Sequence, residues 1–569
     1  MFQAGIARMS DSAARITVGD GIAAFLESCG VRAAFGVISI HNMPILDAFG
    51  RRAEQAAARG EAVPIRFVPA RGEAGAGNMA DAYARVSGGL GVLVTSTGTA
   101  AGNACGAMVE ALTAGTPLLH LTGQIELPYI DRQLGYIHEA HSQLDMLKAV
   151  SKAAFRVRSP ETAISTLREA VRVAMTAPTG PVSVEIPIDI QAAQIDGPSA
   201  FAPPPVTVTQ PGAEEIERLA ESLAKARRPL LWLGGGARGA SAPVRRLLDM
   251  GFGVVTSVQG RGIVPENDPR TLGAFNLHPG VEKFYATCDA MLVVGSRLRS
   301  NETLKYNLKL PKPLYRIDAD PAQQGRCYAD AGFVAADATA GLTALADRLE
   351  GRLKPDPAFA GDLLRVRREA ETSVRQGLGP YATLVAEIQR AAGEDFVWVR
   401  DVTVSNSTWG NRSLQIFGPR DGVHALGGGI GQGIQMAIGA AVAAPGRRVF
   451  CLAGDGGLQV NLGELSTLVQ ERANVTLIVM NDRGYGVIRN IQDAQYGGRR
   501  YYADLHTPDF AALAGALKLP HQRIADLKDG GALRAALAAD GPRMIEIDMV
   551  SIGPFSEVFA GPPVRKVTG

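Results

Sequence analysis

The feature that most constrains the fold of this chain is a repeated alternation of short apolar runs with longer segments of helical pattern. The runs are apolar at consecutive positions, which is typical of parallel strands buried on both faces. They recur throughout the 569 residues, most clearly at 91–95, 117–121, 229–233, 290–294, 448–452 and 475–479. We therefore predict an α/β protein built from doubly wound parallel sheets.

Two breaks in this alternation divide the chain into domains. Residues 202–212 and 351–357 are rich in proline and glycine, a composition typical of extended linkers. The blocks between them have the size of ordinary domains. We predict three doubly wound domains, at 1–195, 213–350 and 373–569.

The first and third blocks end alike. Gly180–Ile186 and Gly541–Ile547 both read Gly-Pro followed by a run suited to a final buried strand. One match this short is compatible with chance, but it suggests that the outer blocks share a fold.

Composition excludes several classes of function. Lys and Arg number 58 against 56 Asp and Glu, a net charge of +2. A nearly neutral chain without basic blocks is not expected to capture nucleic acid or an anionic membrane by electrostatics. The sequence also lacks an uncharged apolar run of about 18 residues, the length needed to span a bilayer.

Cysteine usage and the N-terminus favour the cytoplasm. The five cysteines are scattered and never form Cys-x-x-Cys, so no disulfide framework or cysteine metal site is expected. Around Asp11, Arg15 and Asp20 the N-terminus lacks the apolar core of a signal peptide.

The strongest chemical motif is the turn Ala453–Gly457, which reads Ala-Gly-Asp-Gly-Gly after a predicted strand. Its Asp455 is a hard oxygen ligand of the kind that Mg²⁺ prefers, and glycines let a phosphate approach closely. After one more helix and strand comes a second polar turn, Met480–Gly486, which should lie beside the first at the same sheet edge. Alone, Gly-Asp-Gly is equally compatible with an ordinary tight turn.

These two turns resemble the metal motif of the thiamine diphosphate enzymes of the acetolactate synthase and 2-oxo acid decarboxylase superfamily. The resemblance implies Mg²⁺ ligation by Asp455, Asp482 and the backbone carbonyl of Gly484. The family more often has Asn at the position of Asp482, and Asn481 is the alternative ligand if the register shifts by one residue. The three blocks would then be the pyrimidine-binding, central and diphosphate-binding domains.

A second stretch, Val68–Arg85, is similar to the family segment that carries the essential glutamate. The resemblance implies that Glu73 hydrogen-bonds the aminopyrimidine of thiamine diphosphate and starts the proton relay that activates the cofactor. Judged from the residue alone, a single Glu in a glycine-rich turn is more often a solvated charge.

Further positions of the family pattern imply the rest of the cofactor site. Ile430 matches the apolar residue that props the cofactor in its bent conformation, although a core residue is an equally natural interpretation. Residues 401–406 match a turn near the diphosphate. The implied cofactor-binding residues are Ser405, Asn406, Gly428, Ile430, Gly454, Gly456 and Gly457.

Two more residues are candidates for the active site itself. Gln124 lies in a Thr-Gly-Gln segment similar to that of acetolactate synthases, and His41 aligns with an active-site histidine of benzaldehyde lyase. A histidine packed at a loop tip is the alternative for His41.

Differences from pyruvate decarboxylases bear on the product. Those enzymes carry an acid where this chain has Ile40, and adjacent histidines where it has Ala-Gly-Thr at 114–116. Without these proton donors, we expect acetolactate-synthase-like carboligation of a 2-oxo acid with a carbonyl acceptor. A 2-oxo acid decarboxylase and a 2-hydroxyacyl lyase are the alternatives. Ile491 replaces a tryptophan that helps biosynthetic acetolactate synthases choose the acceptor.

The middle block contains Gly234–Gly239, which formally fits Gly-x-Gly-x-x-Gly. A nucleotide-binding oxidoreductase is therefore a rival hypothesis, but the acid expected about 20 residues further on is missing at 254–257. Some relatives bind FAD or ADP in this domain, and we expect FAD less than an empty domain.

The superfamily also implies an oligomer. Its cofactor lies between the first domain of one subunit and the third domain of another, and Glu73 and Asp455 belong to different blocks. We therefore expect a homodimer or homotetramer. A non-catalytic homologue is a further rival, which the retained Glu73 and Asp455 disfavour.

Overall fold

The computed structural model describes residues 15–197 and 200–561. Asp11, part of the signal-peptide argument, and the outer ends of the first and third predicted domains lie outside these residues. The described residues form two compact units. The first comprises the chain up to Ala80, Gly89–Met175 and Thr179–Val206, and the second comprises the remainder.

The first unit is built on a six-stranded parallel sheet with the order β3-β2-β4-β5-β7-β6. Strands β1 and β8 pair separately and antiparallel. The strands are β1 (Arg15–Thr17), β2 (Ala33–Gly36), β3 (Arg66–Pro69), β4 (Gly91–Thr95), β5 (Leu118–Gln124), β6 (Ala153–Arg156), β7 (Pro181–Pro187) and β8 (Gln194–Asp196). The helices are α1 (Val18–Ser28), α2 (Met43–Ala58), α3 (Glu73–Ser87), α4 (Thr99–Ala114), α5 (Gln143–Val150), α6 (Ala163–Met175) and α7 (Ile188–Ala192).

The second unit contains two parallel sheets. The central sheet has the order β10-β9-β11-β12-β13. Its strands are β9 (Pro229–Leu233), β10 (Gly253–Thr256), β11 (Ala290–Val294), β12 (Leu314–Asp318) and β13 (Gly332–Ala335). The helices of this region are α8 (Ala213–Leu223), α9 (Ser241–Asp249), α10 (Pro279–Tyr285), α11 (Ala338–Leu349) and the long α12 (Phe359–Leu378).

The last sheet has six parallel strands in the order β15-β14-β16-β17-β19-β18. Its strands are β14 (Phe396–Arg400), β15 (Gly422–His424), β16 (Arg448–Gly454), β17 (Val475–Asn481), β18 (His521–Ile524) and β19 (Arg543–Asp548). The helices are α13 (Tyr381–Ala392), α14 (Gly433–Ala443), α15 (Asp455–Val460), α16 (Glu464–Gln470), α17 (Gly486–Gln495), α18 (Phe510–Ala516), α19 (Gly531–Leu537) and α20 (Met549–Ile552).

The predicted fold class is confirmed in all three regions. The inner strands β4, β5, β9, β11 and β17 are buried along their whole length, as expected for apolar runs covered by helices on both faces. The unit boundary at Val206 lies inside the proline-rich segment 202–212. Among the described helices, none has the length and apolar character required to cross a membrane.

The two outer sheets have the same strand order. Numbered within each domain, both read 2-1-3-4-6-5, and the two Gly-Pro segments lead into the equivalent strands β7 and β19. In each sheet the order in which successive strands are added reverses between the first and third strands, which lie side by side. Ligands of open α/β sheets bind at the carboxyl ends of the strands that flank such a reversal.

Candidate active site

In the last sheet, the predicted metal and diphosphate residues collect at the reversal point. Asp401 directly follows β14, and Asp455 directly follows β16. These are the two strands between which the order reverses. Asp482 follows the next strand, β17. Because parallel strands end at one edge, three chain-distant aspartates come together there.

Asp455 is fully buried, and the half-buried Asp482 lies beside it. The backbone N–H of Gly484 donates to Asp455 Oδ2 at 2.9 Å, and that of Asp482 lies 3.4 Å from Asp455 Oδ1. Burial and the neighbouring Asp482 raise the pKa of Asp455. Burial also raises the pKa of Asp482, although Arg489 at 3.1 Å opposes the shift. Two neighbouring carboxylates with little access to water repel each other, and a divalent cation bound by both would remove that repulsion.

The chemistry of the donor set fits Mg²⁺ through oxygen ligands. In the described part of the chain, no group of three or more His, Cys, Asp or Glu side chains is placed to hold a metal. A metal here would therefore draw on two carboxylates and a backbone carbonyl. A side chain at position 456 would collide with the ring of Tyr485 and crowd the carbonyl oxygen of Gly484, so glycine suits this position.

Asn481, the alternative metal ligand, is engaged elsewhere. Its Nδ2 donates to Glu546 Oε1 at 2.7 Å, and its Oδ1 accepts the backbone N–H of Arg483 at 3.2 Å. Glu546 in turn contacts His521 at 3.1 Å. The side chain thus secures the base of the metal turn, while Asp482 faces Asp455.

Sequence reasoning missed a glycine beside the metal pair. At Gly486, the first residue of α17, a side chain would collide with Asp482 Oδ2. The sequence does show this residue, as the second glycine of the Gly-Tyr-Gly segment at 484–486. Its physical role is to leave space for the carboxylate of Asp482.

Ser405 and Asn406 lie in the segment that follows β14. Both are buried, and Ser405 Oγ and Asn406 Oδ1 have no hydrogen-bond partner within residues 15–197 and 200–561. A buried hydroxyl without a partner costs free energy, so such groups in a native protein commonly await a ligand or water. The Ser405 hydroxyl can donate and therefore fits an acceptor such as a diphosphate oxygen at this edge of the sheet, whereas Asn406 Oδ1 only accepts hydrogen bonds.

The loop at 427–433 is held by Asp401, a second residue that sequence reasoning left without a role. Both carboxylate oxygens of Asp401 accept the backbone N–H of Gly431 at 3.0 Å. Burial raises the pKa of Asp401 to about 6, against the backbone N–H groups that lower it. In this loop Ile430 is 39% exposed in the single chain, which is unusual for isoleucine and leaves it free to contact a ligand.

The predicted cofactor glycines differ in their surroundings. Gly428 has a φ of +81° and open space around its Cα, so a ligand can approach its backbone. A side chain at Gly457 would crowd Asp401, whereas one at Gly454 would make only ordinary contacts with Thr403. Among the predicted cofactor-binding glycines, Gly428 is thus the one with no atom close to the space where a side chain would be.

In the first unit, the three predicted catalytic residues also lie at the carboxyl edge of their sheet. His41 follows β2, Glu73 begins α3 after β3, and Gln124 ends β5. The carboxylate of Glu73 is partly exposed in the single chain and accepts a hydrogen bond from Asn103 Nδ2 at 3.2 Å. In the single chain, Glu73 is therefore partly open to water.

His41 has a histidine neighbour that the sequence did not reveal. Its ring is 6% exposed and lies edge-on to His138, with 5.5 Å between ring centroids. Burial and His138 lower the pKa of His41, and Glu126 acts in the opposite direction. Residues 114–116 contain no histidine. The carboxyl edge of this sheet nevertheless has two neighbouring histidines, because the loop after β5 brings His138 against His41.

Gln124 belongs to a buried polar network. Its Oε1 accepts from Thr97 Oγ1 at 2.9 Å and from the backbone N–H of Ile125 at 2.8 Å. Its Nε2 lies 3.4 Å from Glu185 Oε2, and Glu185 is ion-paired with Arg156. Gln124 is therefore held rigidly, with its side-chain atoms already engaged.

The space beside the glycines at 234–236 of the middle domain is occupied by other parts of the protein. A side chain at Gly234 or Gly236 would collide with the backbone of Gly295, and one at Gly235 would collide with Gln259. These glycines let β9 and the turn after β11 pack closely. The packing accounts for the run without a nucleotide.

Comparison with known proteins covers the same three regions. Family models match the N-terminal TPP binding domain, the central domain and the C-terminal TPP binding domain of thiamine pyrophosphate enzymes, at residues 16–149, 216–345 and 403–547. A probable 2-ketoarginine decarboxylase of Pseudomonas aeruginosa is 30% identical over 542 residues, covering 94% of both chains.

Acetolactate synthases are similarly related. The isozyme 2 large subunit of Escherichia coli is 28% identical, covering 92% of this chain and 94% of its own. A probable large subunit of Methanocaldococcus jannaschii is 27% identical, covering 95% and 93%. Together with the three matched domains, these relatives show that the chain belongs to the thiamine pyrophosphate enzymes, in the superfamily of the acetolactate synthases and 2-oxo acid decarboxylases.

Proposed function

We propose that this enzyme uses thiamine diphosphate and Mg²⁺ to join the fragment left by decarboxylation of a 2-oxo acid to a second carbonyl compound, as acetolactate synthases do. The observation that carries the cofactor assignment is the Asp455–Asp482 pair, at the same edge of the sheet as the unpartnered hydroxyl of Ser405. Cytoplasmic location, supported by the scattered cysteines, is part of the proposal.

The residues divide into binding and catalytic roles. Asp455, Asp482 and the Gly484 carbonyl would hold Mg²⁺. Ser405 and Asn406 would bind the diphosphate. When bound, thiamine diphosphate supplies a nucleophilic carbon and accepts the negative charge that decarboxylation leaves. The remaining named cofactor residues would shape the loops around it: Gly428, Ile430, Gly454, Gly456 and Gly457.

Glu73 would exchange a proton with the aminopyrimidine. A carboxyl group does this efficiently when its surroundings bring its pKa towards the working pH. Since Glu73 is partly exposed in the single chain, we propose that a second subunit covers it in a homodimer or homotetramer. The three functional domains would then be those predicted, at 1–195, 213–350 and 373–569.

The fate of the donor fragment would depend on His41. Protonating the reacting carbon releases an aldehyde, while leaving it unprotonated allows attack on a second carbonyl. Because burial and His138 lower the pKa of His41, less of it is protonated at neutral pH than of an ordinary histidine. The exposed Ile40 beside it has no ionisable group and cannot donate a proton. Together these features support carboligation at neutral pH.

Product partition should therefore depend on pH. As the pH falls towards and below the lowered pKa of His41, its protonated fraction rises, and we expect free aldehyde to increase at the expense of hydroxyketone. Ile40→Asp should shift products towards aldehyde, and His41→Gln should remove most of the pH dependence. Chromatographic analysis of products from a panel of 2-oxo acids, with and without aldehyde acceptors, measures both. Acetaldehyde as the dominant pyruvate product at neutral pH, unchanged by added acceptor, would contradict carboligation.

Simple decarboxylation is the second candidate function. It is favoured by the His41–His138 pair, which provides a proton donor at the edge of the site, and by the relative named a probable 2-ketoarginine decarboxylase. The same product analysis separates the two candidates. A 2-hydroxyacyl lyase would be recognised by cleavage of hydroxyketone without a 2-oxo acid. Membership of the family leaves the nucleotide-dependent oxidoreductase without support.

The register of the metal turn makes a separate prediction. Asp482→Ala should weaken Mg²⁺-dependent binding of thiamine diphosphate strongly. Asn481→Ala should mainly lower the melting temperature, because Glu546 Oε1 loses its donor and keeps only the His521 contact on Oε2, at a cost of about 1–3 kcal/mol. Calorimetric titration and thermal melting measure the two effects. A larger loss of cofactor binding in Asn481→Ala than in Asp482→Ala would show that the ligand is Asn481.

A further inference from the structure

A cavity lies in the second unit, and its lining includes no residue of the metal pair or the glycine loop. Its volume is about 250 Å³. Helices α12 and α13 line it, together with residues 273–275 and 412–415. Its lining includes the apolar residues Leu378, Ala382 and Val385 and three arginines, Arg367, Arg375 and Arg412. Its volume is at the small end of ligand sites, which suits a metabolite-sized molecule.

The acidic residues that line this cavity are already neutralised. Glu266 receives two hydrogen bonds from Arg261, at 2.6 and 2.7 Å, and is buried. Glu371 is ion-paired with Arg367 at 2.8 Å. The guanidinium of Arg367 also donates to the backbone carbonyls of residues 266, 268 and 271. None of these four side chains has charge left to offer a ligand.

Arg412, unlike these paired side chains, has hydrogen-bonding capacity that is not used. Its Nη2 donates to the carbonyl of Ser407 at 3.3 Å, but its buried Nε has no acceptor in the described part of the chain. Burial and the nearby Arg261 lower the pKa of Arg412, and the carboxylate that opposes this shift is the exposed Glu557. Arg412 as a whole is half-buried, but a buried guanidinium nitrogen without an acceptor costs free energy.

Two other arginines add to the positive character of this region. Arg375, on the last turn of α12, is exposed at the rim of the cavity. Arg400 does not line the cavity; it is fully buried and donates to the neutral oxygens of Gly410 and Asn411. The cavity therefore combines apolar lining residues with two arginines, Arg412 and Arg375, that are not paired with its lining carboxylates.

We propose that this cavity binds a small organic anion, a carboxylate with a short apolar chain. Its charged group would accept hydrogen bonds from Arg412 and Arg375, and its chain would lie on Leu378, Ala382 and Val385. A carboxylate suits the planar guanidinium donors, and the apolar lining distinguishes it from inorganic anions. This site does not depend on the proposed reaction, because it shares no residue with the cofactor site.

Calorimetric titration of the holoenzyme, saturated with thiamine diphosphate and Mg²⁺, tests the proposal with hexanoate as the probe. We expect saturable binding of hexanoate and much weaker binding of hexanamide and of inorganic phosphate. Arg375→Gln and Arg412→Gln should each weaken hexanoate binding about tenfold or more, since each removes charge-assisted hydrogen bonds. Ala382→Phe should block binding by filling the cavity.

The matched control is Arg368→Gln, which removes the same charge from an exposed residue of α12 outside the cavity. It should bind hexanoate like the wild type. His41→Gln should also bind normally, which separates this site from the active site. Because Arg375 is at the rim, its variant tests the proposal even if Arg412→Gln does not fold. Wild-type affinity in both Arg375→Gln and Ala382→Phe, equal weakening by Arg368→Gln, or no hexanoate binding would overturn it.

Discussion

Replacing Asp455 with alanine should weaken Mg²⁺-dependent binding of thiamine diphosphate by more than about 100-fold, since even residues that only support metal ligands contribute up to about that factor. Asp455 lies at the reversal point of the last sheet and faces Asp482. Without it, a metal would keep one carboxylate and the diphosphate would lose its bridge. Calorimetric titration with cofactor at fixed Mg²⁺ measures the loss.

Asp455→Asn separates loss of the metal from loss of the fold. In the cofactor-free protein, burial and Asp482 raise the pKa of Asp455, so the folded state loses stability as the pH rises through that pKa. Neutral Asn removes this repulsion. Cofactor-free Asp455→Asn should therefore melt no lower than the wild type at mildly alkaline pH, while gaining less from cofactor and Mg²⁺. Asp493→Ala, which removes a surface carboxylate paired with Arg500, is the control. Wild-type cofactor affinity in either Asp455 variant would contradict the metal assignment.

Glu73→Gln should bind thiamine diphosphate but lose turnover by about 10²- to 10⁴-fold, the usual contribution of a general acid or base. Gln preserves the size of the side chain and can keep contact with Asn103, but it cannot exchange a proton with the cofactor. Steady-state turnover, together with cofactor titration, measures both parts of the prediction.

The control for Glu73 is Glu61→Gln, which changes an exposed glutamate of the same domain that is paired with Arg59. It should keep normal turnover. A folded Glu73→Gln enzyme with full activity would exclude the proton relay. Loss of cofactor binding alongside turnover would instead assign Glu73 a binding role.

Much of the fold was accessible from local patterns in the sequence. Consecutive apolar residues predicted strands such as β4 and β11 because only a strand buried on both faces tolerates them. The repeated Gly-Pro segments pointed to related outer domains, and β7 and β19 occupy equivalent positions. Family motifs indicated Asp455 and Asp482, since a residue that directly follows a parallel strand must lie at the carboxyl edge of the sheet.

Other features depended on contacts between distant segments. The register at Asn481 was open because neighbouring residues leave a strand in opposite directions, and the contact with Glu546, 65 residues further on, shows which way Asn481 faces. The pairing of His41 with His138 was hidden because the loop after β5 has no periodic pattern that predicts its path. Asp401 had no assigned role until its contact with Gly431 was known.

The sequence alone thus determined the α/β class, the order of the motifs and the family, since these depend on local periodicity and on residues close together in the chain. The tertiary structure decided which side chains face each other: Asp482 rather than Asn481 towards Asp455, His138 towards His41, and Arg412 into a cavity whose carboxylates pair with other arginines. These pairings arise from packing between segments far apart in the chain, and burial then sets the cost of each charge.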